Sequence, residues 1–203
     1  PISYGAINPA KMSIAETGGK LFVAISPPSL TQLNVYAYDS TNGLSTSSFG
    51  DTGTLSFSGS DLLLGNIFIP KGSANLYLSG QFGMSNYGIK VLNQTTGVAE
   101  GFIDPGFDDF SVLKNAQIID SKIIWTGTLK YTMGSQKTVN ALMTDLSGAS
   151  IFSISSPTTS AIINSVLLTD SAIYFGGSYS GLGGGSSGLT PIDLTTGLWL
   201  PGH

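Results

Sequence analysis

Twelve carboxylates, ten Asp and two Glu, are the most numerous side chains in this 203-residue chain that could act as acids, bases or hard ligands. Cleaving a glycosidic bond needs two of them about 5 to 10 Å apart, one to protonate the leaving oxygen and one to attack or to activate water. The densest run is Asp104-Pro-Gly-Phe-Asp108-Asp109. It can be read as half of such an acid pair, as a loop of oxygen donors for calcium, or as a plain connection between strands. No complete calcium-loop motif accompanies it. Five other aspartates, Asp39, Asp120, Asp145, Asp170 and Asp193, recur at matched turns, and backbone geometry accounts for them there.

The other reactive types are scarce. The single His, His203, is the last residue, where it reads as a linker or tag remnant. With no second His and no Cys, neither a Ser-His-Asp triad nor a zinc site can be assembled, and no disulfide can form. The stretch Gly181-Leu-Gly-Gly-Gly-Ser-Ser-Gly188 lacks the Lys and the following helix of a phosphate loop, and it reads as a flexible connection. Asn93-Gln-Thr95 has the pattern of a glycosylation sequon but falls in a structural turn. No catalytic residue, metal or cofactor is expected. All eight basic residues are Lys, and the net charge is −4. A chain without an arginine fork is a poor match to a phosphate backbone, so no nucleic acid is expected as partner. No apolar run approaches the roughly twenty residues of a membrane-spanning helix, so no membrane insertion is expected.

The elements that would carry these residues show in an internal repeat. Four short apolar runs, Lys20-Leu-Phe-Val-Ala24, Asn75-Leu-Tyr-Leu-Ser79, Lys122-Ile-Ile-Trp-Thr126 and Ala172-Ile-Tyr-Phe-Gly176, stand 55, 47 and 50 residues apart by their first aliphatic positions. Each follows a turn signal and an earlier apolar stretch, such as residues 62–69, 112–119 and 161–168, so each pair reads as a β-hairpin. A second landmark series follows them: Asp39-Ser-Thr-Asn-Gly43, Asn93-Gln-Thr-Thr-Gly97, Asp145-Leu-Ser-Gly148 and Asp193-Leu-Thr-Thr-Gly197. Asp or Asn bonds its own backbone in such a turn, and the closing Gly takes the positive φ that other residues resist. Two hairpins per unit make four strands. The expected fold is therefore all-β and β-propeller-like, with four four-stranded antiparallel repeats of about fifty residues in one domain spanning 1–203. The repeats fall near 11–60, 61–111, 112–160 and 161–203, with 1–10 as a candidate closing strand. Gly80, Gly127 and Gly177 mark places where another backbone approaches, here ascribed to units converging on an axis. Trp125 shares a column with Val23, Leu78 and Phe175 and belongs to the core, whereas Trp199 reads as an outer-edge plug.

The run Ala172-Ile-Tyr-Phe-Gly-Gly-Ser-Tyr179 with Pro191-Ile-Asp-Leu-Thr-Thr-Gly-Leu-Trp-Leu-Pro201 resembles the delta-sixty-type propeller repeats of bacterial secreted proteins. The copy at 76–105 is similar, while Ile25-Ser-Pro27 and Leu146-Ser-Gly148 depart from the pattern. The resemblance implies a propeller and carries no catalytic residues with it. Only 10% of the residues are charged, against about 25% in average soluble domains. With abundant Ser, Thr and Gly, this points to a secreted or cell-surface protein, and Pro1 at the start points to a piece of something longer.

Function is expected from the four matched connections after the apolar strands: residues 26–34, 83–87, 130–138 and 180–188. Equivalent loops of a propeller share a face. These carry Gln32, Asn34, Asn86, Tyr87, Tyr131, Gln136 and Lys137, and amides beside aromatic rings suit sugar hydroxyls and ring faces or a protein surface. The leading expectation is a non-enzymatic recognition or adhesion module that binds glycan or protein through this face. The rivals are a secreted carbohydrate-active enzyme using Asp104, Asp108 and Asp109, and a structural spacer without a ligand.

Overall fold

Segments such as 11–17 and 32–39 alternate more buried and less buried residues, the period of two expected of a strand with one face on the core. The computed structural model describes residues 11–84, 86–108, 111–133, 135–155, 162–169, 171–179 and 188–200. The protein is all-β and propeller-like, with four antiparallel repeats as its sequence implies. It divides into two compact units, residues 1–104 with 115–117, and 105–114 with 118–203.

The first unit holds two four-stranded sheets. One comprises β1 (Lys11–Thr17), β2 (Lys20–Ser26), β3 (Gln32–Asp39) and β4 (Thr54–Ser58), in that order. The other comprises β5 (Leu62–Phe68), β6 (Asn75–Phe82), β7 (Tyr87–Asn93) and β8 (Ala99–Ile103). Their facing sides share one apolar core containing Phe22, Leu33, Val35, Phe49, Leu64, Ile67, Leu76, Leu78 and Leu92. Polar side chains close the seam. Ser26 Oγ donates to Leu62 O at 3.2 Å, and Ser13 Oγ accepts from Ile67 N at 3.1 Å. Asn66 sits at a bulge between Leu64 and Ile67. Its amide donates to Ala116 O and accepts from Ala116 N, both at 2.9 Å, which ties the 115–117 stretch to this unit.

The second unit repeats the plan. β9 (Val112–Ile119, of which 115–117 group with the first unit), β10 (Lys122–Met133), β11 (Ser135–Asp145) and β12 (Ser150–Ile154) form one sheet. β13 (Ile162–Leu168), β14 (Ala172–Ser178) and β15 (Leu189–Asp193) form the other. Among the described residues, an isolated antiparallel bridge from Ile192 to Trp199 extends this sheet beyond β15, and Trp199 stays 39% exposed there; the candidate closing strand 1–10 lies outside the described residues. Ile124, Met143, Ile154, Ile173, Phe175 and Ile192 form this unit's core. Trp125 is fully buried, as its column predicts, and its indole N–H donates to Thr144 Oγ1 at 2.9 Å.

The repeated turns close as the sequence dictates. Asp39 Oδ1 accepts from Thr41 N at 2.8 Å, Asn93 Oδ1 from Thr95 N at 2.9 Å, Asp145 Oδ1 from Ser147 N at 2.8 Å and Asp193 Oδ1 from Thr196 N at 2.7 Å. The closing glycines take φ of +71°, +74°, +89° and +70°. Two of them also serve packing: a Cβ on Gly97 would lie 3.4 Å from the Phe49 ring, and one on Gly197 only 2.7 Å from Phe152 Cγ.

The matched glycines inside the strands have a different cause from the one the sequence suggests. A Cβ at Gly80 would meet Leu63 O at 2.4 Å, one at Gly127 would meet Val112 O at 2.0 Å, and one at Gly177 would meet Ile162 O at 2.0 Å. Each intruding carbonyl belongs to the neighbouring strand of the same sheet. The close approach arises within each repeat, beside irregularities in the ladder at Leu64/Ile67, Thr126/Leu129 and Ile163/Ser165.

Candidate functional site

Among the described residues, one hairpin departs from the repeat in length. β10 and β11 run for 12 and 11 residues, where the second and third strands of the first unit run for 7 or 8. Past the irregularity at Thr126/Leu129 the pairing continues through Leu129↔Val139, Lys130↔Thr138, Tyr131↔Lys137 and Thr132↔Gln136 to Met133↔Ser135. The connection before β9 is folded along this outgrowth. Asp108 N donates to Lys130 O at 2.7 Å, Lys130 N donates to Ser111 Oγ at 2.9 Å, and Phe107 bridges to Tyr131. The Phe107 ring meets Trp125 edge-on at 5.5 Å, so the segment is pinned to the core. Pro105, Gly106, Tyr131, Leu142, Gly148, Ala149 and Ser150 line a recess of about 240 Å³ beside it.

The residues expected in matched loops are placed differently. Tyr87 opens β7 and Tyr131 lies in β10, and both are only 5% exposed. The expectation that they offer wet, flat ring faces is corrected: strand pairing continues through both positions and turns the rings inward. Tyr131 forms part of the recess wall, together with Pro105 and Gly106. Gln32 and Asn34 belong to β3, paired with Ser58 and Ser56; Gln32 is exposed and Asn34 half-buried. Asn86 is exposed in the connection before β7, and its carbonyl accepts from Phe82 N at 2.8 Å. Lys137 is exposed on β11. Gln136 pairs with Thr132 through its backbone, and its side chain lies outside the described residues. The structure thus groups Tyr131, Gln136 and Lys137 on one hairpin of the second unit, and Gln32, Asn34, Asn86 and Tyr87 in the first. Of the matched connections, 180–187 lies outside the described residues.

Of the acids weighed for catalysis, Asp104 is exposed and Asp108 half-buried, while Asp109, like His203, lies outside the described residues. Among the described residues no three His, Cys, Asp or Glu side chains gather to hold a metal.

A second constellation lies outside the residues that the sequence singles out. Lys90 on β7 points its ammonium at three phenyl rings, Phe57 of β4, Phe82 of β6 and Phe102 of β8, with Nζ 5.3, 4.9 and 5.7 Å from their centroids. Phe57 and Phe82 meet at 6.2 Å, and Phe82 and Phe102 at 6.0 Å, both edge to face. Burial against these rings strips water from the ammonium and lowers its pKa from the ordinary lysine value. Lys90 and Phe102 are cross-strand partners, a signal a hairpin register could supply. Phe57 comes from the preceding repeat, and nothing local announces it.

No family model matches the chain, and no curated protein does. Solved structures do. One, from a study titled "Structural and Mechanistic Analysis of Two Prolyl Endopeptidases: Role of Inter-Domain Dynamics in Catalysis and Specificity", aligns over 94% of this chain and 25% of its own at 11% identity, with a TM-score of 0.55. Another, described as the AfRom2 CNH domain, aligns over 94% of this chain and 52% of its own at 10% identity, with a TM-score of 0.51. This chain therefore spans about a quarter and about half of those two. At such identities the likeness is one of fold.

Proposed function

We propose that this chain is a non-enzymatic recognition or adhesion module of a secreted or cell-surface bacterial protein, binding glycan or protein, with the β10–β11 hairpin as its main contact element. The observation that carries the reading is the outgrowth itself. Ordering extra residues costs roughly 1 to 2 kcal/mol each in backbone entropy. Lys137 and Thr138 gain no burial in return, since both remain exposed. A projection braced by Phe107, Asp108 and Ser111 and flanked by a recess suits contact with a partner better than it suits the core. The low charge and the Ser, Thr and Gly content support an extracellular setting. The Gly-Gly-Ser and Asp-Leu-Thr-Thr-Gly runs support a place among delta-sixty-type repeat proteins.

The test is a glycan array probed with the wild-type chain and with a variant in which 132–136 is replaced by Asn-Gly, joining the paired residues Tyr131 and Lys137. The expected result is binding to a defined glycan set, weakened at least about tenfold by the shorter hairpin, with the melting temperature unchanged. Equal binding by both proteins sinks the assignment to the hairpin. A blank array for the wild type removes the glycan reading.

A further inference from the structure

The three rings around Lys90 hold a cation for which the described residues supply no anion. Among the described residues no carboxylate comes within ion-pair distance of its ammonium, and burial is the one influence that moves its pKa. None of its three N–H donors finds a protein oxygen among those residues either. A partly desolvated charge without a counter-charge is unfavourable. Contact with the three rings offsets part of that cost, by roughly 0.5 to 2 kcal/mol for such pairs in general.

The walls of the cluster are unequal. Phe57 and Phe82 rest against the first unit's core. Phe102 is the outer wall and remains 38% exposed. It is held in place by Gly88, where a Cβ would meet Phe102 Cζ at 2.6 Å and Ile103 O at 2.3 Å, so the ring sits directly over bare backbone. The result is a positioned phenyl ring at the surface beside the lysine ammonium.

We propose that this cluster is a binding site for an acidic sugar, a pyranose that carries a carboxylate, as in uronic-acid chains. The carboxylate supplies the counter-charge that the described residues do not, through a charge-assisted hydrogen bond to Lys90 Nζ. The C–H face of the pyranose packs on Phe102. A net charge of −4 disfavours polyanions at large, so recognition rests on this local pairing of one cation with one ring. The site goes beyond recognition through the hairpin, since it lies wholly in the first unit and uses no residue of β10 or β11.

Isothermal titration of the full chain with trigalacturonate and with neutral cellotriose tests this, together with the titration of the Lys90 ammonium followed by NMR. Trigalacturonate should bind at least about tenfold more tightly than cellotriose. Its affinity should fall with added salt and as pH rises through the Lys90 pKa. Lys90→Met should erase the preference, Phe102→Ala should weaken binding, and saturating trigalacturonate should raise the Lys90 pKa. Equal affinity for the two oligomers overturns the proposal, as does wild-type affinity in Lys90→Met. If Lys90→Met does not fold, an unchanged Lys90 titration in the wild type with ligand present overturns it instead. The shortened-hairpin variant should bind trigalacturonate normally; loss of binding there assigns the sugar to the hairpin and refutes the Lys90 site.

Discussion

Three glycines separate two costs that are usually confounded, and alanine at each gives a graded expectation. At Gly18, φ is +54° and a Cβ would meet nothing within 4 Å, so Gly18→Ala carries conformational strain alone. Left-handed backbone costs an L-residue roughly 1 to 2 kcal/mol, and alanine returns about 0.4 to 1 kcal/mol by restricting the unfolded chain. The net expectation is about 1 kcal/mol. At Gly177 no left-handed φ applies, but a Cβ would lie 2.0 Å from Ile162 O, against an ordinary contact of at least 3.4 Å. β13 and β14 must part by about 1.4 Å there, enough to break ladder bonds worth roughly 0.5 to 1.5 kcal/mol each and to add overpacking of about 1 to 3 kcal/mol. Gly177→Ala should therefore cost about 2 to 4 kcal/mol. Gly127 combines the two, with φ of +152° and Val112 O at 2.0 Å from the added Cβ, so it should be the worst at about 3 to 5 kcal/mol. Against a total stability of about 5 to 15 kcal/mol, that difference is easily read. The assay is urea unfolding followed by far-ultraviolet circular dichroism, comparing midpoints at constant slope. If Gly127→Ala and Gly177→Ala cost no more than Gly18→Ala, the close carbonyl approach is not what holds glycine in those strands.

Two further outcomes can be checked on the same apparatus. Trp125→Ala removes a fully buried ring and its edge contact with Phe107, and should cost about 3 to 5 kcal/mol; Trp125→Phe should recover most of that, and a loss below 1 kcal/mol for Trp125→Ala contradicts the packing. The carboxyl groups of Asp145 and Asp193 are held below the usual aspartate value, Asp145 chiefly by the Ser147 hydroxyl and Asp193 chiefly by the Thr196 backbone N–H. With folded pKa values below the unfolded one of about 4, their contribution is present above that pH and is lost as pH falls through the lower folded values. The urea midpoint should therefore drop as pH falls below about 4, and the Asp145→Asn/Asp193→Asn double variant should flatten that drop; an unchanged slope contradicts the turn bonds.

How much of this could be read in advance differs between fold and site. Each repeat is punctuated by chemistry that acts within five residues: an Asp or Asn oxygen reaching the N–H two or three positions on, and a Gly that alone accepts the positive φ of the closing step. Those bonds form whatever lies elsewhere in the chain, and apolar runs flanking a turn can only pair as hairpins. The four antiparallel repeats and the burial of Trp125 follow from this local logic. The functional residues were harder. Gln32, Asn34, Asn86 and Lys137 are exposed or half-buried as a contact surface requires, but Tyr87 and Tyr131 are not. Their type and neighbours suit a loop, while strand pairing that continues past the expected end of the hairpin carries them into the sheet and buries them.

The sequence by itself determined the repeat, its turns and its antiparallel hairpins, because each rests on contacts between residues close along the chain. Only the tertiary structure decided which way individual side chains face and which distant ones meet. Side chains alternate with a period of two, so a single irregularity, such as those at Val91/Leu92 and Thr126/Leu129, reverses every later face of a strand without leaving a mark in composition. The same is true of the close carbonyls at Gly80, Gly127 and Gly177, which depend on how adjacent strands are offset. It is truest of Lys90. Its three rings come from residues 57, 82 and 102, on three strands of two repeats. Their convergence on one ammonium is a property of how two sheets pack, which no spacing along the chain encodes.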